Sequence, residues 1–152
     1  MNADFAVPTA IDTILASSAS RESKAKRIAE AIRLARDYRW VGIYEIDGSE
    51  IAVIGWSGPE APSFPRFPIT QGLNGAAVAS RSAVAVNDVT LDPRYLTTFG
   101  STQSEIVVPI VHPATKAVLG TIDVESVNKN AFTDADRAFL ERCAGAVCPL
   151  LI

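Results

Sequence analysis

Three acids stand in residues 104–126, SEIVVPIVHPATKAVLGTIDVES, where two β-rich apolar runs meet at a turn: Glu105 at the start, Asp123 and Glu125 near the end. Side chains alternate across a strand, so Leu119, Thr121, Asp123 and Glu125 share one face and Val118, Gly120, Ile122 and Val124 the other. Two carboxylates at i and i+2 lie roughly 7 Å apart. Glu105 falls on the face of Val107 and Pro109. In residues 39–46, RWVGIYEI, the side chains of Trp40 and Tyr44 flank Gly42 on one face, which predicts an aromatic-walled space above the sheet. If these faces coincide, the result is an aromatic slot with carboxylates at one end. Such a slot suits a small ligand bearing an ammonium group, through charge pairing and a cation–π surface. The same residues also have a plain reading, with the acids at a strand end in water or paired with Arg94 or Arg81, and the aromatics as core. Periodicity alone leaves both open.

Other reactive side chains point to less. His112 has the opposite strand parity from Glu105, so the two do not converge on one metal, and no EF-hand-like loop supports calcium at the acids. No metal and no cofactor are expected. Cys143 and Cys148, five positions apart on one helix, are separated by about 140° around its axis and ~7.5 Å along it. That is too far for a disulfide, and without a histidine pair they make no zinc site; both read as small core residues.

The elements that must position the acids follow from pattern. At 152 residues the chain reads as one domain, residues 1–152. A 48% apolar and 20% charged composition is that of a globular protein, and a net charge of −3 gives no electrostatic footprint for nucleic acid or an acidic membrane. No apolar run approaches the ~20 residues of a membrane span, and MNADFAVPTA has no basic region followed by an apolar one, so the expected location is the cytoplasm. Thr9-Ala10-Ile11-Asp12 after Pro8 predicts a capped helix start, and Ala25, Ile28, Ile32 and Ala35 predict an amphipathic helix over 21–37. Asp47-Gly48 between two β-rich runs predicts a hairpin. SGPEAPSFPRFP is a loop, a short helix opens near Gly72, SAVAVND is a short strand, and residues 88–103 form a long polar cover. Thr133-Asp134-Ala135-Asp136 caps a last helix with Phe139, Leu140, Cys143, Ala144 and Val147 inward, ended or kinked by Pro149. The fold class is α+β, a mainly antiparallel sheet between helices.

Taken together, RWVGIYEI, RFPITQGLNGAA, VNDVTLDPRY, SEIVVPI, LGTIDVES and AFTDADRAFLERCA resemble a GAF domain from about Ile28 to the C-terminus, and within that superfamily the free methionine-(R)-sulfoxide reductases. The resemblance implies a six-stranded antiparallel sheet with the N- and C-terminal helices on one face. A loop-roofed pocket for a free amino acid would lie on the other, with residues 1–20 a helical extension to a core of about 21–152. Carried over by position, the pocket aromatics correspond to Trp40 and Tyr44 and the pocket acids to Glu105, Asp123 and Glu125, the last replacing an Asp. The reductases' three cysteines correspond to Phe64, Asn74 and Thr98. Sulfoxide reduction requires an attacking thiolate and a resolving thiol, so thiol-dependent activity is not expected. A partial match of NKNAFTDADR to a cyclic-nucleotide signature reads more simply as a turn and a helix cap.

The expected function is a stand-alone sensory domain that binds a free amino acid or similar amine. Trp40 and Tyr44 form its walls, Glu105, Asp123 and Glu125 grip the cation, and Asn74 donates to the ligand's polar part. The alternatives are a homodimerisation or regulatory module with a vestigial pocket, interfaced through the first two helices, and an enzyme using Glu125 for acid–base work. Any signal would pass to a separate partner.

Overall fold

The computed structural model describes residues 2–152. Helix α1 (Ala3–Ala16) begins before the predicted Thr9 cap, because the Asn2 side chain accepts from the Asp4 N–H at 2.8 Å and caps it earlier. Pro8 therefore lies inside the helix, where it cannot donate to the Asp4 carbonyl. Arg142 Nε donates to that carbonyl instead, at 3.4 Å. Helix α2 (Arg21–Ala35) is capped by Ser20 and buries Ala25, Ile28, Ala29 and Ile32, while Ala35 stays half-buried.

Six strands follow: β1 (Trp40–Asp47), β2 (Glu50–Ser57), β3 (Arg66–Pro68), β4 (Val84–Val86), β5 (Ser104–Val111) and β6 (Val118–Ser126). Helix α3 (Gly72–Ser80) separates β3 from β4, and α4 (Asp134–Val147) follows β6. The sheet order is β3-β2-β1-β6-β5-β4, with every pairing antiparallel. The predicted hairpin joins β1 to β2, with Gly48 at φ +62°, a conformation that suits glycine. The four long strands β2, β1, β6 and β5 occupy the interior, and three-residue strands form both edges, which limits pairing with other chains.

One face of the sheet is the main core. Val41 and Ile43 of β1, Ile106, Val108 and Ile110 of β5, and Ile122 and Val124 of β6 meet α1, α2 and α4 there. Helix α2 lies directly on β2 at Gly55, where an added Cβ would stand 2.6 Å from the Ala25 backbone carbon and the Lys26 nitrogen. Gly55→Ala is expected to cost about 2–3 kcal/mol through forced separation of helix and sheet, read as a lower urea midpoint at unchanged slope.

Asp136 fastens this layer. It completes the predicted capping box with Thr133, and its Oδ1 accepts from Tyr38 Oη at 2.7 Å and Arg36 Nε at 2.9 Å. Arg36 also lies 5.5 Å from the Phe139 ring centre and reaches Asp4. Pro149 sits in a 3₁₀ turn, Cys148–Leu151, that follows α4. Among the described residues, no helix is long and apolar enough to cross a membrane.

Candidate functional site

The three acids converge on the face turned away from the main core, where strand register brings them together. Across β1, β6 and β5, Trp40 stands opposite Glu125 and Glu125 opposite Glu105; one step along, Gly42 faces Asp123 and Asp123 faces Val107. One carboxylate oxygen from each acid lies within 4.8 Å of the others. Each residue is at most 3% exposed. They are neither at a strand end in water nor ion-paired. Among the described residues no salt bridge includes them, and Arg94 is engaged with Asp92 at 2.7 Å.

Their neighbours are hydroxyls and an amide. Tyr95 Oη and Thr102 Oγ1 donate to Glu125 Oε1 at 3.2 and 3.0 Å. Asn74 Nδ2 donates to Asp123 Oδ2 at 3.0 Å, and its Oδ1 accepts from Thr121 Oγ1 at 2.6 Å. Asp123 Oδ1 and Glu125 Oε2 are buried with no protein donor. Burial pushes Glu105 and Glu125 well above the usual carboxylate range, and the neighbouring acids push them further. Burial also raises Asp123, offset in part by its polar neighbours Glu105 and Asn74. Burial and then the adjacent acids likewise hold the Tyr44 phenol in its neutral form. Among the described residues these acids are the group able to hold a metal ion, and their oxygens suit a hard cation; three ligands are fewer than the six to eight calcium takes.

The aromatic slot predicted between Trp40 and Tyr44 is not open. Their rings fold over Gly42, where an added Cβ would stand 2.7 Å from Trp40 Cζ3 and 2.9 Å from Tyr44 Cε2. Phe99 closes on Trp40 edge-on, with centroids 5.2 Å apart, and Trp40 Nε1 donates to the Glu60 carbonyl at 3.1 Å. The space left beside Trp40, Phe99, Thr102 and Glu125 is about 10 Å³, room for roughly one water and far too little for an amino acid. A bare backbone at Gly42 lets the rings collapse onto the sheet, and the covering segment after Leu91 supplies the third ring.

Residues 20–148 match the GAF domain family.

This chain is a GAF domain.

The GAF domain is 34% identical, over 114 residues, to the free methionine-R-sulfoxide reductase of Saccharomyces cerevisiae; the match takes in 73% of this chain but only 62% of that enzyme's length. Its fold matches the type II free methionine-R-sulfoxide reductase from Thermoplasma acidophilum with a TM-score of 0.81 and 31% identity, covering 86% of this chain and 92% of that one. It matches a putative GAF sensor protein from Burkholderia vietnamiensis with a TM-score of 0.84 and 25% identity, covering 98% and 91%.

Phe64, Asn74 and Thr98, the positions that the sequence resemblance sets against the reductases' cysteines, lie in three different elements. Phe64 is 41% exposed in the proline-rich loop; Thr98 is buried in the covering segment, its carbonyl accepting from Ser63 Oγ at 2.6 Å. Asn74, in the first turn of α3, donates its amide to Asp123. Cys143 and Cys148 are buried among the helices on the opposite face of the sheet, and burial pushes the Cys143 thiol up to about 12. Sequence reasoning missed Tyr95, Phe99, Thr102 and Thr121. Thr121 shared the parity of the acids and was findable by it; the other three lie in an irregular segment with no periodicity to read.

Proposed function

We propose that this GAF domain binds a free amino acid, or a closely similar amine, by its ammonium group, as a cytosolic regulatory domain that does no thiol chemistry. The observation that carries the reading is the pair of buried oxygens without donors, Asp123 Oδ1 and Glu125 Oε2, beside Glu105. A primary ammonium brings three N–H donors and one positive charge, which is what buried carboxylates without a counter-ion lack. Trp40 and Tyr44 stand next to the acids as cation–π surfaces. Similarity to enzymes named for free methionine-R-sulfoxide supports an amino acid as the ligand. Reduction is not carried over, because the chain's two thiols lie across the sheet from the acids and burial keeps Cys143 protonated.

A second reading, a dimerisation module with a vestigial pocket, is favoured by the closure of the site to about 10 Å³. Calorimetric titration with methionine-R-sulfoxide, methionine and other free amino acids separates the two, with magnesium and calcium as controls. Saturable heat with an amino acid is expected, lost in the Asp123→Asn/Glu125→Gln variant while its thermal transition survives. No heat with any amino acid, together with a concentration-dependent mass, would favour the dimerisation module.

A further inference from the structure

The buried acids of this fold fall into two groups. Asp136 has a guanidinium, a phenol and a helix start around it. The other group forms no ion pair among the described residues, although Arg39 borders the small space beside Glu125. Around Glu105, Asp123 and Glu125, β1 presents Trp40 and Tyr44, β6 presents Thr121, and α3 presents Asn74. The covering segment presents Tyr95 and Thr102, with Asp92 adding negative charge toward Glu105. Among the described residues no Lys, Arg or His side chain forms an ion pair with the three acids. Like charges this close and this buried cannot all be ionised together.

We propose that the ligand-free pocket holds at least one proton among Glu105, Asp123 and Glu125, whose oxygens lie within 4.8 Å of one another, and that a cationic amine enters by exchange with it. The inference rests on the amine-binding reading above and adds its regulation. The amine arrives as R–NH3+, the proton leaves to solvent, and the charge of the pocket is unchanged. The hydrogen-bond pattern fits this exchange. With the pocket closed, before and after exchange, Glu125 Oε1 and Asp123 Oδ2 keep their protein donors, whereas Glu125 Oε2 and Asp123 Oδ1, with Glu105 beside them, are placed to trade a proton for N–H donors. With one proton released per ligand, affinity for a permanently protonated amine rises about tenfold per pH unit wherever the free pocket is protonated. Amine binding by this domain is then also a reading of pH.

Two measurements test it. Infrared spectroscopy of the ligand-free protein at neutral pH is expected to show the carbonyl band of a protonated carboxyl group, lost or shifted in Glu105→Gln and in Asp123→Asn. Absence of that band in the parent protein overturns the proposal whatever binds. Titration with L-methionine and with methylammonium, each in phosphate and in Tris at one pH, is expected to give heats differing by about one proton's worth of buffer ionisation. Equal heats in the two buffers overturn the exchange. The infrared band without binding of either probe overturns the amine-binding reading, and the exchange with it.

Discussion

Replacing Asp136 with alanine is expected to lower the unfolding free energy by about 3–5 kcal/mol, because one buried carboxylate is the shared partner of buried Tyr38, half-buried Arg36 and the Thr133 cap. Tyr38 Oη loses its acceptor, Arg36 loses its carboxylate, and the Thr133 N–H and hydroxyl lose the reciprocal half of the capping box. Burial pushes the Asp136 carboxyl upward, but hydrogen bonds from Thr133 and Tyr38 and the charge of Arg36 outweigh it and leave it below the usual range. A carboxylate depressed in the folded state contributes stability that is present above its unfolded value of about 3.9 and lost as pH falls through the lower folded one. Urea unfolding at neutral pH should show the full loss, and the gap between Asp136→Ala and the parent should narrow in acid. A loss below about 1 kcal/mol would mean that the network adds little to what apolar burial already supplies.

Glu105→Gln is expected to act in the opposite direction. Burial and the neighbouring acids raise the folded-state value of Glu105, so the folded protein retains a proton that the unfolded chain gives up. Stability attached to this group is therefore greatest in acid and falls as pH rises from about 4 through the raised folded value. A neutral amide removes that slope, and its NH2 brings donors toward Asp123 and Glu125, whose bare oxygens lie close by. A gain in stability at neutral pH, shrinking as the pH is lowered toward about 4, is expected, read as a rise in Tm. The variant should also bind an amine more weakly. A fall in Tm would show that Glu105 holds the sheet together and would count against a pocket built for a ligand at the expense of stability.

Much of this was legible in the sequence because it depends on short-range rules. Strand parity placed Ile122 and Val124 in the core and Asp123 and Glu125 on the other face, and the structure keeps that division. The Thr133 cap and the inward stripe of α4 were read the same way, from helical spacing and one reciprocal hydrogen bond. The first helix was misread because two caps competed, and the side chain of Asn2 starts it before Pro8. The state of the aromatic slot was out of reach, since parity gives the side of the sheet and not the angle at which Trp40 and Tyr44 lean over Gly42. Nor could spacing find Phe99 or Tyr95, whose positions depend on how an irregular segment settles across three strands.

The closed roof over the acids has a consequence in time. Two hydroxyls of the covering segment are bonded to the same carboxylate that would receive a ligand, and Phe99 seals Trp40. Association then draws only on molecules in which that segment has lifted, so the observed affinity is the intrinsic one scaled down by the fraction open. Under the proposed amine binding, the rate of capture would follow the lifting of the segment, and once it settled over a ligand the same bonds would delay release. In the proposed ligand-binding role, such a domain would average over brief changes in its surroundings and respond to those that last.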